Sequence, residues 1–189
     1  MLSRWLTSFT LLDHDTVCGT DKFENFFTLR VPPGCEEDAN DDPTATKFKW
    51  EQGYLNGAAF KLDTVNQFFI GEVGTSLQKT KLSSLSRELV LYVTSMGSIA
   101  CFLPFETKAE LDFFTHLEMY LRIEAQPLCG RDHVAFRSAI SPVKDVVDGD
   151  LCEQYQQLDF SQQKVLAEEL ESSPAEILKK LEEMRQKII

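Results

Sequence analysis

Pro104 marks a change of period. Before it, apolar residues alternate or cluster in short runs between turn residues; after it they recur at helical spacing. The stretch "ELVLYVTSMGSIACFLPF" (88–105) reads as two β-rich runs joined by a hairpin turn at Met96-Gly97. Immediately beyond it, Thr107-Lys108-Ala109-Glu110 reads as a capping box, the Thr hydroxyl accepting from the Glu110 amide while the Glu carboxylate reaches back. A chain patterned this way is mainly β and then α, with sheets through 1–104 and helices through 105–189.

In the β half, "LTSFTLL" alternates and runs into the polar turn Asp13-His14-Asp15. "TVCGTDK" leads to a turn at Asp21–Asn25, and "NFFTLRV" continues until Pro32-Pro33-Gly34 stops it. Strand-like material resumes in "AAFKLDTVNQFFIGE" and "TSLQKTKL", so about eight short strands are expected in meander order. Between them the loop 34–47 carries "EEDANDDP" (36–43), with five acids and no apolar residue larger than Ala39; it is expected to be solvated.

In the α half, Leu111, Phe114, Leu117 and Leu121 form a stripe, widened by Phe113 and Tyr120, in a helix ending near Glu124. Asp150-Leu151-Cys152-Glu153, Asp159-Phe160-Ser161-Gln162 and Ser173-Pro174-Ala175-Glu176 read as three further helix starts. The last helix should place Ile177, Leu181, Met184 and Ile188 on one face and the pairs Glu176/Lys180 and Glu183/Lys187 on the other.

Bulk properties narrow the function classes. The net charge of −11 comes without any dense basic cluster, which argues against nucleic-acid binding by bulk electrostatics. The five cysteines are widely spaced with no CxxC pair, so neither a zinc ribbon nor a thioredoxin-like motif is present, and a reducing compartment fits best. The N-terminal "MLSRWLTSFTLLDHD" resembles a signal peptide faintly, but Thr7, Ser8 and Thr10 interrupt it. No apolar run approaches the ~18 residues of a membrane span.

The densest chemistry lies in "PLCGRDHVAFRS" (127–138). Cys129 and His133 would form a nucleophile and base only if the segment were helical, and Pro127 and Gly130 argue against that. As metal ligands they would need partners such as Asp13, His14, Asp15 or Cys18, with no known spacing. The quieter reading makes the segment an ordered crossing in which Arg131 and Asp132 satisfy backbone groups. In it Val134 and Phe136 insert as apolar anchors and Arg137 points the opposite way. A third reading is a protein contact centred on Arg131, Asp132, His133, Phe136 and Arg137, since Arg and aromatic residues anchor interfaces. Asp148-Gly149-Asp150 lacks the rest of a calcium loop and reads as a helix cap. Gly71 and Gly74 in "IGEVGTS" resemble a phosphate loop only superficially, with no Lys-Ser/Thr following. No catalytic residue, metal or cofactor is expected.

Eight strands would make only two four-stranded propeller blades, whose outer edges would be unpaired. They form either a small sandwich or the end of a longer chain. "DHDTVCGTDKFEN", "LNGAAFKL", "SLQKTKL", "PLCGRDHVAFRS", "SPVKDVVDGDLCEQY" and "PAEILKKLEEMR" occur here in order. Together they resemble the C-terminal end of a family that includes splicing factor 3b subunit 3, the large damage-specific DNA-binding subunit and the largest cleavage and polyadenylation specificity factor subunit. "LCGRDH" and "LNGA" point to its splicing branch; the acidic loop matches only in character.

The resemblance implies the closing blades of a β-propeller, an incomplete WD40-like ring, followed by a helical C-terminal domain. It implies a nuclear, non-enzymatic scaffold of the U2 small nuclear ribonucleoprotein, acting in branch-site recognition. Implied partners are the HEAT-repeat large subunit, small subunits and the remaining blades of a longer parent chain, with no membrane and at most indirect RNA contact. The same fold would also suit an adaptor of a ubiquitin-ligase or DNA-damage-binding complex. An enzyme using Cys129 and His133 is the competing class.

Overall fold

The computed structural model describes residues 4–35, 62–83, 86–124 and 130–188. The acidic stretch 36–43, residues 58–61 of the expected strand material and Cys129 lie outside these. Antiparallel sheets come first and helices follow. Seven strands stand among the described residues, against about eight expected: β1 Leu6–Leu11, β2 Thr16–Asp21, β3 Asn25–Arg30, β4 Asp63–Phe69, β5 Gly74–Thr80, β6 Leu89–Thr94 and β7 Ile99–Phe102. They make a four-stranded sheet in the order β1-β2-β3-β4 and a three-stranded sheet β5-β6-β7.

Local chemistry explains the turns. Asp13, His14 and Asp15 form the polar connection from β1 to β2, where Leu12 and Asp13 donate to Thr16 O. The Asp21 carboxylate ties the β2–β3 turn by accepting from the amides of Phe23 at 2.9 Å and Asn25 at 3.1 Å. Met96-Gly97 forms the β6–β7 hairpin, with Gly97 at φ +92°. Gly74 begins β5 where a Cβ would come within 2.7 Å of Thr20, so the two sheets meet at a position only glycine fits. Cys18, Phe26, Leu77 and Val90 are buried between the sheets, and the Phe26 and Phe102 rings stack at 3.9 Å.

The helices are α1 Lys108–Glu124, α2 His133–Arg137, α3 Gly149–Glu153, α4 Phe160–Glu169 and α5 Pro174–Gln186, with a 3-10 turn at Gln154–Gln157. They own a second core built on Phe114, Leu117, Leu121, Leu151, Tyr155, Leu166, Ile177 and Leu181. Each fully buried leucine of this kind contributes about 1.5–3 kcal/mol relative to exposure. The starts of α4 and α5 are the expected ones, each with a complete capping box.

Several helical expectations are corrected. Leu111 remains 39% exposed, because the buried stripe of α1 is Phe114, Leu117 and Leu121. Thr107 accepts from the Glu110 amide at 3.1 Å, but the Glu110 carboxylate turns to Lys187 of the chain's last turn, at 2.5 Å. The cap of α3 is Asp148, in keeping with the reading of Asp148-Gly149-Asp150 as a cap, and the helix begins at Gly149 rather than from a start at Asp150. On α5, Glu176 binds Ser173, Lys180 lies over the Phe113 ring at 3.6 Å and Lys187 serves Glu110, so neither expected i,i+4 pair forms. Tertiary partners outcompete exposed helical ion pairs, which are worth only tenths of a kcal/mol.

The helical region grips both sheets. Gln67 of β4 exchanges backbone hydrogen bonds with Lys144 at 2.9 and 3.0 Å, and Asn66 donates to Asp145 O at 2.7 Å. The connection before α3 thus covers an edge of β4 that would otherwise present bare backbone. At the other sheet, Arg87 donates its amide to Lys187 O at 3.1 Å and pairs with Glu106 at 2.6 Å.

Candidate functional site

The described part of the segment densest in chemistry, 130–138, holds a short helix where an ordered crossing was expected. Gly130 takes φ +67°, a conformation that breaks the chain before the helix begins. Asp132 then caps α2 by accepting from the Ala135 amide at 3.1 Å. Arg131 and Asp132 are exposed, and the contact of Asp132 with Arg122 at 3.8 Å is a solvated pair of small worth.

Within α2 the two charged residues face inward. His133 and Arg137 sit four apart on one helical face and are only 6% and 7% exposed. The expected arrangement, with Val134 and Phe136 as the anchors and Arg137 opposite, is therefore reversed in its main feature. Phe136 is half-buried against the edge of Phe69, at 5.4 Å between centroids. It also lies 3.0 Å from the place a Cβ on Gly71 would occupy. Gly71, with φ +92°, is a turn residue roofed by Phe136 and not part of a phosphate loop.

Arg137 commits all three nitrogens of its guanidinium. Nε donates to Asp148 Oδ2 at 2.5 Å and Nη2 to Asp150 Oδ2 at 3.3 Å. Nη1 donates to the carbonyls of Phe69 at 3.2 Å and Ile70 at 3.1 Å, at the end of β4. The plane also rests 4.6 Å from the centre of the Phe68 ring.

Asp148 is the hub. It is 2% exposed, and Oδ1 caps α3 through the amides of Asp150 at 3.0 Å and Leu151 at 3.4 Å. Its own amide donates to Glu118 Oε1 at 3.3 Å. Burial alone would raise the Asp148 carboxyl, but His133 and Arg137 outweigh it and hold the group below the usual range.

His133 Nε2 lies 3.1 Å from Asp148 Oδ2 and 3.6 Å from Glu118 Oε1. Its N–H points squarely at neither oxygen, so the contact is ionic rather than a well-aligned hydrogen bond. Burial works against the charge of the ring, yet the two carboxylates prevail and its pKa is raised to about 9. At neutral pH it is an imidazolium, and a general base has to be unprotonated.

Beside this cluster opens a cleft of about 290 Å³ lined by Phe68, Met119, Val134 and Val143. Elsewhere, Cys18 lies in the sheet core, where burial pushes its thiol to about 11. Among the described residues, no three His, Cys, Asp or Glu side chains are grouped so as to hold a metal ion.

Of the five residues singled out in the sequence, the structure brings His133 and Arg137 together. It leaves Arg131 and Asp132 at the surface and sets Phe136 against the sheet. Asp148 was legible only as a helix cap, and Glu118, on the solvated side of an amphipathic pattern, gave no signal.

Comparison with known proteins places this architecture. Residues 1–157 match the model of the CPSF A subunit region. The chain belongs to that family. Its antiparallel sheets followed by helices are the family's propeller blades and helical region.

Among curated relatives, the chain is 52% identical over 98% of its length to spliceosome-associated protein 130 A of Arabidopsis thaliana. It is 50% identical over 96% of its length to a probable splicing factor 3B subunit 3 of Dictyostelium discoideum. Identity to splicing factor 3B subunit 3 of Danio rerio is 47%, again over 96% of the chain. The chain spans about 15% of the length of these relatives.

Proposed function

We propose that this chain is a non-enzymatic scaffold segment acting in pre-mRNA splicing, as part of a splicing factor 3b subunit 3-like protein. The observation that carries this reading is the 47–52% identity, over nearly all of the chain, to proteins named for the spliceosome or for splicing factor 3B. Rigid sheets and a helical region clamped to them present fixed surfaces, which is what a scaffold requires. The relatives' names favour this over an adaptor of a ubiquitin-ligase or DNA-damage complex. An imidazolium at His133 weighs against an enzyme built on it.

On this reading the partners are other splicing factor 3b subunits, among them the HEAT-repeat large subunit, and the U2 ribonucleoprotein, in the nucleus. The net charge of −11 supports protein contacts over direct RNA binding. The domains are 1–104, the terminal blades, and 105–189, the helical domain; two separate hydrophobic cores support that division. A tagged chain incubated in nuclear extract should recover U2 proteins. Recovery of cullin-type partners without U2 proteins overturns the proposal. Expressed alone, 1–104 should aggregate or bind other blades because its sheet edges lack partners, and a monomeric, cooperatively melting 1–104 chain would refute the incomplete ring.

A further inference from the structure

Helix α2 has only five residues, far fewer than the roughly 12–15 an isolated helix needs in water. Its two buried side chains, His133 and Arg137, are both cationic, and its apolar hold is limited to the half-buried Val134 and Phe136. The rest of the hold is ionic. Arg137 takes the carbonyls of Phe69 and Ile70 from the end of β4, and both cations meet at Asp148 Oδ2.

We propose that α2 is a latch that fastens the helical region to the four-stranded sheet, and that the positive charge on His133 keeps it shut. The inference does not depend on which complex the chain serves.

The groups facing His133 come from each element around it. From α1 come Glu118 at 3.6 Å and, along the same cleft, Arg122. The α3 cap supplies Asp148 at 3.1 Å, and Asp150 joins through Arg137. Asp132 stands at the head of α2 itself, and from β6 Tyr92 feels the charges of Asp150, Arg137 and Asp148. With the ring charged, Glu118 and Asp148 share a cation. With it neutral, Asp148 is left to Arg137, whose three nitrogens are already in use, and Glu118 loses the cation beside it.

The cleft beside Val134 gives α2 room to swing and water a path to the freed carboxylates. The sign follows from the direction of the shift. A pKa raised to about 9 gives stabilisation that is full below the ordinary imidazole value and is lost as pH rises through about 9. The latch is closed at neutral pH and opens in alkali.

The test is amide hydrogen exchange on the full chain at pH 7 and pH 10, with rates corrected for base catalysis. Phe136, Ser138 and Cys152, whose amides donate within or beside the latch, are the probes. Their corrected rates should rise about tenfold, while those of Leu117 and Leu121 in α1 stay level. In His133→Gln, neutral at every pH, the probes should already exchange fast at pH 7 and show no further rise. An NMR titration of the wild-type imidazole, which needs no variant, should have its midpoint near 9. A midpoint near 6.5, unchanged probe rates, or an equal rise in α1 would each overturn the latch.

Discussion

Arg137 and Asp148 form a buried ion pair, Nε to Oδ2 at 2.5 Å, between a five-residue helix and the cap of the next. The pair does more than neutralise charge. Through the remaining guanidinium nitrogens it reaches the backbone at the end of β4, and through Oδ1 it starts α3. One contact thereby sets strand, latch and helix relative to one another.

Removing one partner of such a pair leaves a buried charge uncompensated, which costs about 3–5 kcal/mol. Arg137→Met should lower stability by that order in urea denaturation. Arg137→Lys should recover only part of it, because an ammonium cannot serve two carbonyls and two carboxylates at once. Equal stability of Arg137→Lys and wild type would show that the fork geometry is immaterial.

Acid should loosen the same site from the other side. The Asp148 carboxyl is held below its ordinary value, so its contribution is present above that value and lost as pH falls through the depressed one. The urea midpoint should decline below about pH 4. Asp148→Asn, already less stable at pH 7, should show a shallower decline over that range. Parallel curves would contradict the assignment.

Two glycines separate backbone strain from crowding. Gly71 and Gly97 both take φ +92°, but only at Gly71 would a Cβ meet a neighbour, Phe136 Cζ at 3.0 Å. Gly97→Ala should cost about 1 kcal/mol and Gly71→Ala about 1–3 kcal/mol, read from thermal or urea unfolding. The order of the two is the sensitive result.

The capping box of α5 offers a local test. Ser173 Oγ accepts from the Glu176 amide at 3.3 Å, and Glu176 returns to the Ser173 amide at 2.8 Å. Ser173→Ala should cost about 1 kcal/mol. Because Ile177 and Leu181 of this helix belong to the helical core, the loss should register in global unfolding and not merely as fraying at the helix end.

Thiol reactivity addresses the enzyme reading. Cys18 and Cys152 are buried and their thiols are pushed upward, Cys18 to about 11. With iodoacetamide at pH 7 these two should be alkylated slowest. A Cys129 that reacted far faster than the other four cysteines would restore the nucleophile hypothesis.

Much of the architecture was legible in the residues because its causes are local. The turn at Asp21–Asn25 is made by one carboxylate and amides two and four positions away. The boxes at Asp159 and Ser173 close within three residues. The change of period at Pro104 separates sheet from helix, and ordered motifs from "DHDTVCGTDKFEN" to "PAEILKKLEEMR" pointed to the family. These features follow from backbone geometry over a few residues; where a distant partner competes, as Lys187 does for Glu110, the local motif is only half formed.

What only the tertiary structure decided is which way α2 faces. Arg137 looks like a surface cation, and it turns inward because carbonyls 67 and 68 residues earlier, and Asp148 eleven residues later, complete its hydrogen bonds. His133 keeps its proton because Glu118 and Asp148, from two other elements, converge on it. A buried charge is tolerable only when its counter-charges are in place, and their positions exist only once the sheet and helices have packed.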